Sequence, residues 1–436
     1  MEIFTSYDLI IVASLIIILS FWFNGISKKT NIPSVLMLIV LGIGLQYLIK
    51  YTIDDPLDFF PALEVLGIIG LIMIVLEAAL ELELRRDKVW PILKSMTIAL
   101  LGLLASAWVA AQILHYFIPG MSMLSAWLYA TPLSILSSAI IIPSVSGLAE
   151  KKKEFHIYES TFSDIMGIIM FYFLTTRLDP AESSGGFEFA GNIILTIIVA
   201  LVVSYIIIMV FQEIRSQAKQ FLLIAVLLLL YAIGKKLHLS SLILILIFGL
   251  VIANMKLFFG GKLRHLLKED RAQQIYHELH IITLETSFVV RTFFFVVFGI
   301  TIVLSSLLSI DVALVSLLIL LSIYAIRYVL LKIFIGRDIM PQLFIAPRGL
   351  ITILLFYAIP AQAKVSGFQP GILLFVILGT SLLMTWAMIR DKQKIHTPLD
   401  QYDEEVEARD EAYDFEYDDE EEDSALDVLP RPEDND

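Results

Sequence analysis

Apolar runs of roughly 20 residues recur along this chain from Tyr7 to Ile389, and no other feature limits its fold as much. Such a run crosses a bilayer as a helix, because a helix satisfies its own backbone donors and acceptors in hydrocarbon. The chain is 58% hydrophobic, against about 45–50% for soluble domains. It reads as an all-α polytopic membrane protein, with the lipid bilayer as its first partner. The first run lacks a basic start and a small-residue cut site, so no cleavable signal is expected. Cysteine is absent, which excludes disulfides and thiolate metal sites.

About 13 transmembrane helices are expected, near 7–26, 31–49, 61–80, 91–117, 123–148, 156–177, 188–211, 219–235, 239–256, 282–303, 306–335, 341–363 and 371–389. Basic residues set their direction. One set of loops carries Lys28, Lys29, Arg85, Arg86, Lys88, Lys151 to Lys153, Arg215, Lys219, Lys262, Arg264, Lys268, Arg271 and Arg337, then Arg390, Lys392 and Lys394 after the last span. The other set carries Lys50, Arg177, Lys235, Lys236 and Lys364. The asymmetry puts the N-terminus outside and the C-terminus in the cytoplasm, in a cell (inner) membrane.

An odd count divides as six, one and six. Spans 1–6 start outside and spans 8–13 start inside, so two inverted six-helix repeats are expected around a linking span. The fifth span of each half carries matching irregularities. Span 5 holds Ser134, Ser137, Ser138, Pro143, Ser144, Ser146 and Gly147; span 12 holds Pro347, Arg348, Gly349 and Pro360. Pro and Gly at corresponding positions point to broken helices at a substrate site. Ordinary kinks are the competing reading, since both residues are common in membrane helices.

Two segments fall outside this pattern. Residues 257–280 are amphipathic and basic, and are expected to lie on the cytoplasmic membrane surface. From Asp400 to Asp436 there are 19 acids and two bases, so the net charge of −13 belongs to a tail and the remainder is about +4. The chain thus divides into a membrane domain, 1–397, and an acidic disordered cytoplasmic tail, 398–436.

The membrane domain holds charges at depth. The acids are Glu77, Glu159, Asp164 and Glu285; the bases are Arg291, Arg327 and Arg348. A charge at the bilayer centre costs about 2.5–3.5 kcal/mol on insertion scales, which makes it a functional candidate. Glu159 and Ser163 share a helix face. Glu159 and Asp164 are five residues apart, roughly 140° round the helix, and so cannot share a proton. One can be locked in a salt bridge while the other titrates. Asp164 lies some 12 Å inside the span, the depth at which inverted-repeat transporters bind ions. Arg327 lies at similar depth and suits Glu159. Glu77 reads equally as an interfacial charge, Arg291 as structural or functional, and Glu285 as a solvated end. Ser137 and Ser138 are ion ligands or simply bond back to their own helix. No metal cluster, nucleophile arrangement or phosphate loop points to an enzyme or a cofactor. His115, His156, His238 and His265 sit at loops or span ends.

Glu159-Ser-Thr-Phe-Ser163-Asp164 resembles the Glu-Ser-x-x-Asn-Asp motif of the monovalent cation:proton antiporter superfamily. Lys28-Lys-Thr-Asn-Ile-Pro33 with Gly42 is similar to the start of that family's second span, and Leu76-Glu-Ala-Ala-Leu-Glu-Leu to the end of its third. His238-Leu-Ser-Ser with Gly249-Leu-Val-Ile-Ala-Asn254, Phe293-Phe-Phe-Val-Val-Phe-Gly299 and Arg348-Gly349 resemble its spans 9, 10 and 12. The likeness runs over nearly all of 7–390. It implies a homodimer whose protomers each have a panel-like dimer domain and a six-helix core in which broken spans 5 and 12 cross. It also implies Asp164 as the carboxylate that binds cation and proton, with Glu159 and Arg327 as a structural ion pair. Two departures bear on ion identity. Ser163 stands where the family has Asn, and Ser137-Ser-Ala-Ile-Ile-Ile-Pro143 replaces the Thr-Asp-Pro of many sodium-type members. That stretch is closer to a branch that includes potassium:proton exchangers.

The expected function is exchange of a monovalent cation, Na+ or K+, for protons through one carboxylate, electroneutral in its simplest form. A transporter-like sensor and a channel on the same fold are the alternatives. Cation, proton and bilayer are the expected partners, and no nucleic acid.

Overall fold

The computed structural model describes residues 6–390 except 31, 53–59, 83, 85–87, 146–147, 179–185, 215–218, 238, 260–268 and 303–308. The acidic tail lies outside the described residues. So do Arg85, Arg86, Ser146, Gly147, Arg215, His238, Lys262, Arg264, His265, Lys268, Lys392 and Lys394.

Among the described residues there is no strand. The helices are α1 Ser6–Thr30, α2 Ser34–Thr52, α3 Phe60–Leu80, α4 Val89–Phe117, α5 Met123–Ser134, α6 Ser138–Ser144, α7 Glu150–Thr176, α8 Gly186–Phe211, α9 Lys219–Lys236, α10 Ser241–Ala253, α11 Met255–Phe258, α12 Glu269–Thr301, α13 Ile310–Phe334, α14 Leu350–Tyr357 and α15 Gly371–Arg390. They make thirteen membrane passages. The fifth is α5 plus α6, and the twelfth is an extended stretch at 345–349 leading into α14. The chain is a multi-pass membrane protein.

The amphipathic segment is corrected. Its described parts are Leu257–Phe259, at the end of the short α11, and Glu269–His280, which is the first third of the 33-residue α12 rather than a separate helix on the membrane surface. No Pro or Gly separates it from the span, and lengthening an existing helix is cheaper than starting another. Its apolar side finds protein instead of lipid. Ala272, Ile275 and Leu279 are buried, and the Tyr276 hydroxyl donates to Leu80 O at 3.4 Å.

The helices form two groups. In the panel, α2 and α3 pack on α12, α3 also on α10, and α10 on α8 and α9. In the core, α4 packs on α5, α7 and α13, and α13 on α15. The inverted repeat shows in this pairing. The counterpart of α2 is α10 and that of α3 is α12, so the α2–α12 and α3–α10 contacts exchange under the pseudo-two-fold axis. Both contacts are close. A methyl group at Gly42 would overlap Val296 O and Gly299, and one at Gly249 would press on Ala79 and Leu76. In the core, α4 turns Ser95, Ala99, Ser106, Ala107, Ala110 and Ala111 inward. Small residues let helices approach where lipid gives no hydrophobic drive.

Candidate functional site

The two broken passages meet back to back over α7. Pro347 biases Ala346 toward an extended backbone, and Gly349 is extended at φ −153°. In the partner passage, α5 ends at Ser134 and Ile135 turns extended at ψ 133°. The extended segments then join, with Ser137 N–H donating to Pro347 O at 3.0 Å. A side chain at Gly349 would strike Ser137, and one at Gly167 on α7 would strike Ile135. These two glycines let three backbones converge.

Breaking a helix leaves unpaired carbonyls at its C-terminal end, where the dipole is negative. Arg348 serves this role for α5. Its guanidinium donates to Leu133 O at 2.9 Å, Ser134 O at 3.2 Å and Ala346 O at 2.6 Å. The side chain is 2% exposed. Its charge faces carbonyls of both passages.

α7 supplies the carboxylates. Ser163 Oγ accepts from Leu136 N–H at 3.0 Å, and Asp164 Oδ2 from Ser138 N–H at 3.3 Å. Both donors belong to the break, so both α7 residues hold it from one side. Ser138 meets Asp164 through both its backbone N–H and its hydroxyl, while the Ser137 N–H joins the two broken passages. Asp164 is 2% exposed, and its Oδ1 has no hydrogen-bond partner among the described residues. It faces α3 and α10 of the panel across a small cavity lined by Val75, Ala78, Leu242, Ile243 and Leu246.

Glu159 faces the other way. Its Oε1 accepts from Arg327 Nη1 at 2.7 Å and its Oε2 from Nη2 at 2.9 Å. Arg327 Nε donates to Gln342 O and Leu343 O, at 3.2 and 3.1 Å, just ahead of the second break. A third group joins that sequence reasoning missed. His156, fully buried on α7, places Nδ1 3.2 Å from Glu159 Oε2. An ionised carboxylate only accepts, so the ring proton belongs on Nδ1. The available signal was the i, i+3 spacing of His156 and Glu159.

The remaining charges separate. Glu77 and Arg291 pair within the panel at 3.1 Å, and Glu285 is exposed. A cavity of about 70 Å³ opens between α1, α2, α6 and α12, lined by Ser20, Asn24, Ser27, Ala139 and Arg291 among others. No cluster of three or more His, Cys, Asp or Glu side chains suited to a metal occurs among the described residues. The arrangement is one under-coordinated carboxylate beside fixed dipoles and a separate, saturated ion pair.

Comparison with known proteins bears on family and fold. A family described as "Sodium/hydrogen exchanger, transmembrane" matches residues 11–389. No curated protein matches the sequence. Among solved structures, the sodium proton antiporter MjNhaP1 from Methanocaldococcus jannaschii at pH 8 superposes with a TM-score of 0.65 at 19% identity, covering 88% of this chain and 99% of that one. An electron-microscopy structure of the same antiporter gives 0.62 at 20% identity, covering 89% and 96%. At that identity the likeness shows the antiporter fold. The family match settles membership: the chain belongs to the transmembrane sodium/hydrogen exchanger family, a family of cation/proton antiporters.

Proposed function

We propose that this protein exchanges a monovalent cation, Na+ or K+, for protons, one for one, at Asp164. The supporting observation is the Asp164 carboxylate, buried at the helix crossing with Oδ1 unpartnered. A bare carboxylate in that position is costly, by several kcal/mol. Either a proton or a cation relieves the cost, and one carboxylate cannot take both. Only loaded forms then pass between orientations, which couples the two fluxes. Glu159, Arg327 and Arg348 keep their charges on both legs, so the cycle is electroneutral. The Glu159–Arg327 pair is structural in this reading. Ser163 holds the break, and Ser137 and Ser138 present it to the ion.

The core carries the site while the panel stays fixed, with two protomers joined through their panels as a homodimer. The N-terminus is outside, and residues 398–436 form a cytoplasmic tail after the exchanger domain, 1–397. The cavity beside Arg291 then opens toward the cytoplasm as the ion's approach.

Reconstitution into proteoliposomes under a pH gradient tests this reading. Wild type should move protons when Na+ or K+ is added, and the ion giving the larger response is the substrate. Asp164→Asn should abolish the response while remaining folded. Normal exchange by Asp164→Asn would refute the assignment. Cation binding without transport would favour a transporter-like sensor, the reading that the missing Thr-Asp in the stretch Ser137–Pro143 suggests. Single-channel currents without proton coupling would favour a channel.

A further inference from the structure

Arg291 serves a carbonyl that the sequence leaves open. Pro143 has no N–H, so the turn of α6 cannot bond to Ala139 O four residues earlier. Arg291, on α12, donates Nη1–H to that oxygen at 3.2 Å. Its Nη2 meets both oxygens of Glu77 on α3 at 3.1 Å, and its Nε reaches Ser287 O of its own helix at 3.5 Å. Helices α3 and α12 belong to the panel, while α6 lies in the core passage. Ala139 directly follows Ser138, whose N–H touches Asp164. The guanidinium also walls the cavity of about 70 Å³ that runs from Pro33 and Ser34 to Ala139. One side chain thus joins the panel, the helix break and the approach to it.

We propose that Arg291 is a positioning residue for exchange: a latch from the panel onto the carbonyl freed by Pro143, holding the core in the orientation seen here. The inference rests on the reading of Asp164 as the exchange site. When the core moves, Ala139 O moves with it, while Glu77 keeps Arg291 on the panel. The bond therefore exists in one orientation only. A contact made in one of two states biases the equilibrium by its own worth. Glu77 has a second part: it neutralises a guanidinium that would otherwise repel a cation in the cavity.

The test separates the latch from its charge. Arg291→Lys keeps the charge but gives up the planar fork that serves Glu77 and Ala139 together. The double variant Glu77→Gln/Arg291→Gln removes both charges and leaves neither one unpaired. In vesicles of known sidedness, both variants should raise the cation KM on the face bearing the α1–α2 turn about 3- to 10-fold. They should lower it on the opposite face by a similar factor, because the two orientations trade population. A merely structural role would not move the two constants in opposite directions. The chain has no cysteine, so Asn24→Cys gives a clean reporter in the cavity wall. Its thiol-labelling rate should fall when Arg291→Lys is added. KM values that stay unchanged or shift together on both faces, with labelling unchanged, would overturn the latch. Where Arg291→Lys is not recovered folded, the double variant decides. Normal exchange by Asp164→Asn would instead sink the reading of the site, so the two failures are distinguishable.

Discussion

Glu159 and Asp164 sit on one helix, five residues apart, and their surroundings are opposite. Glu159 faces α13 and takes three donors, two from Arg327 and one from His156. Asp164 faces the panel and is met only by Ser138, through its N–H at 3.3 Å and its hydroxyl, with Oδ1 left over. Burial is almost equal, at 1% and 2% exposure, so burial alone does not separate their roles. Coordination does. A carboxylate whose acceptor sites are filled by fixed donors has no room for an exchangeable ligand. A carboxylate with an unfilled oxygen at the boundary between two helix groups can take one.

The contrast can be broken from either side. The largest expected effect on stability comes from Glu159→Ala or Arg327→Ala. Each leaves a buried charge unpaired and should cost about 3–5 kcal/mol, read as lost thermal stability in detergent. The double variant should cost less than the sum, and additive losses would reject the pairing. Ser163→Ala should cost about 1–3 kcal/mol, because the Leu136 N–H loses its acceptor in a buried break. Equal stability of wild type and variant would mean that the crossing is held elsewhere. His156→Ala should cost about 1.5–3 kcal/mol for one hydrogen bond to a charged group, with the smallest effect on transport: a cation KM within about twofold of wild type. A large KM change in His156→Ala would place that ring in the ion path and erase the distinction between the two halves of α7.

Much of this is legible in the sequence alone. Runs of about 20 apolar residues and the distribution of Lys and Arg gave thirteen passages. Pro143, Pro347 and Gly349 marked the two passages that break. The helical angle between positions 159 and 164 showed that the two acids must differ. What stayed hidden depends on partners distant in sequence. Glu77 and Arg291 are 214 positions apart, and neither helix reveals its neighbour. Arg291 showed no mate in its own helix because its mates are on α3 and α6. His156 looked like a span end because α7 begins at Glu150 and continues inward without interruption. The extension of α12 is hidden for a related reason: an apolar stripe does not say whether lipid or protein covers it.

The most direct measurement is proton release on cation binding by purified protein in weakly buffered detergent, with no membrane and no transport. Wild type should release about one proton for each cation bound, since one carboxylate exchanges one ligand for the other. Asp164→Asn should bind no cation and release no protons. Cation binding by wild type without proton release, or unchanged release by Asp164→Asn, would contradict the account.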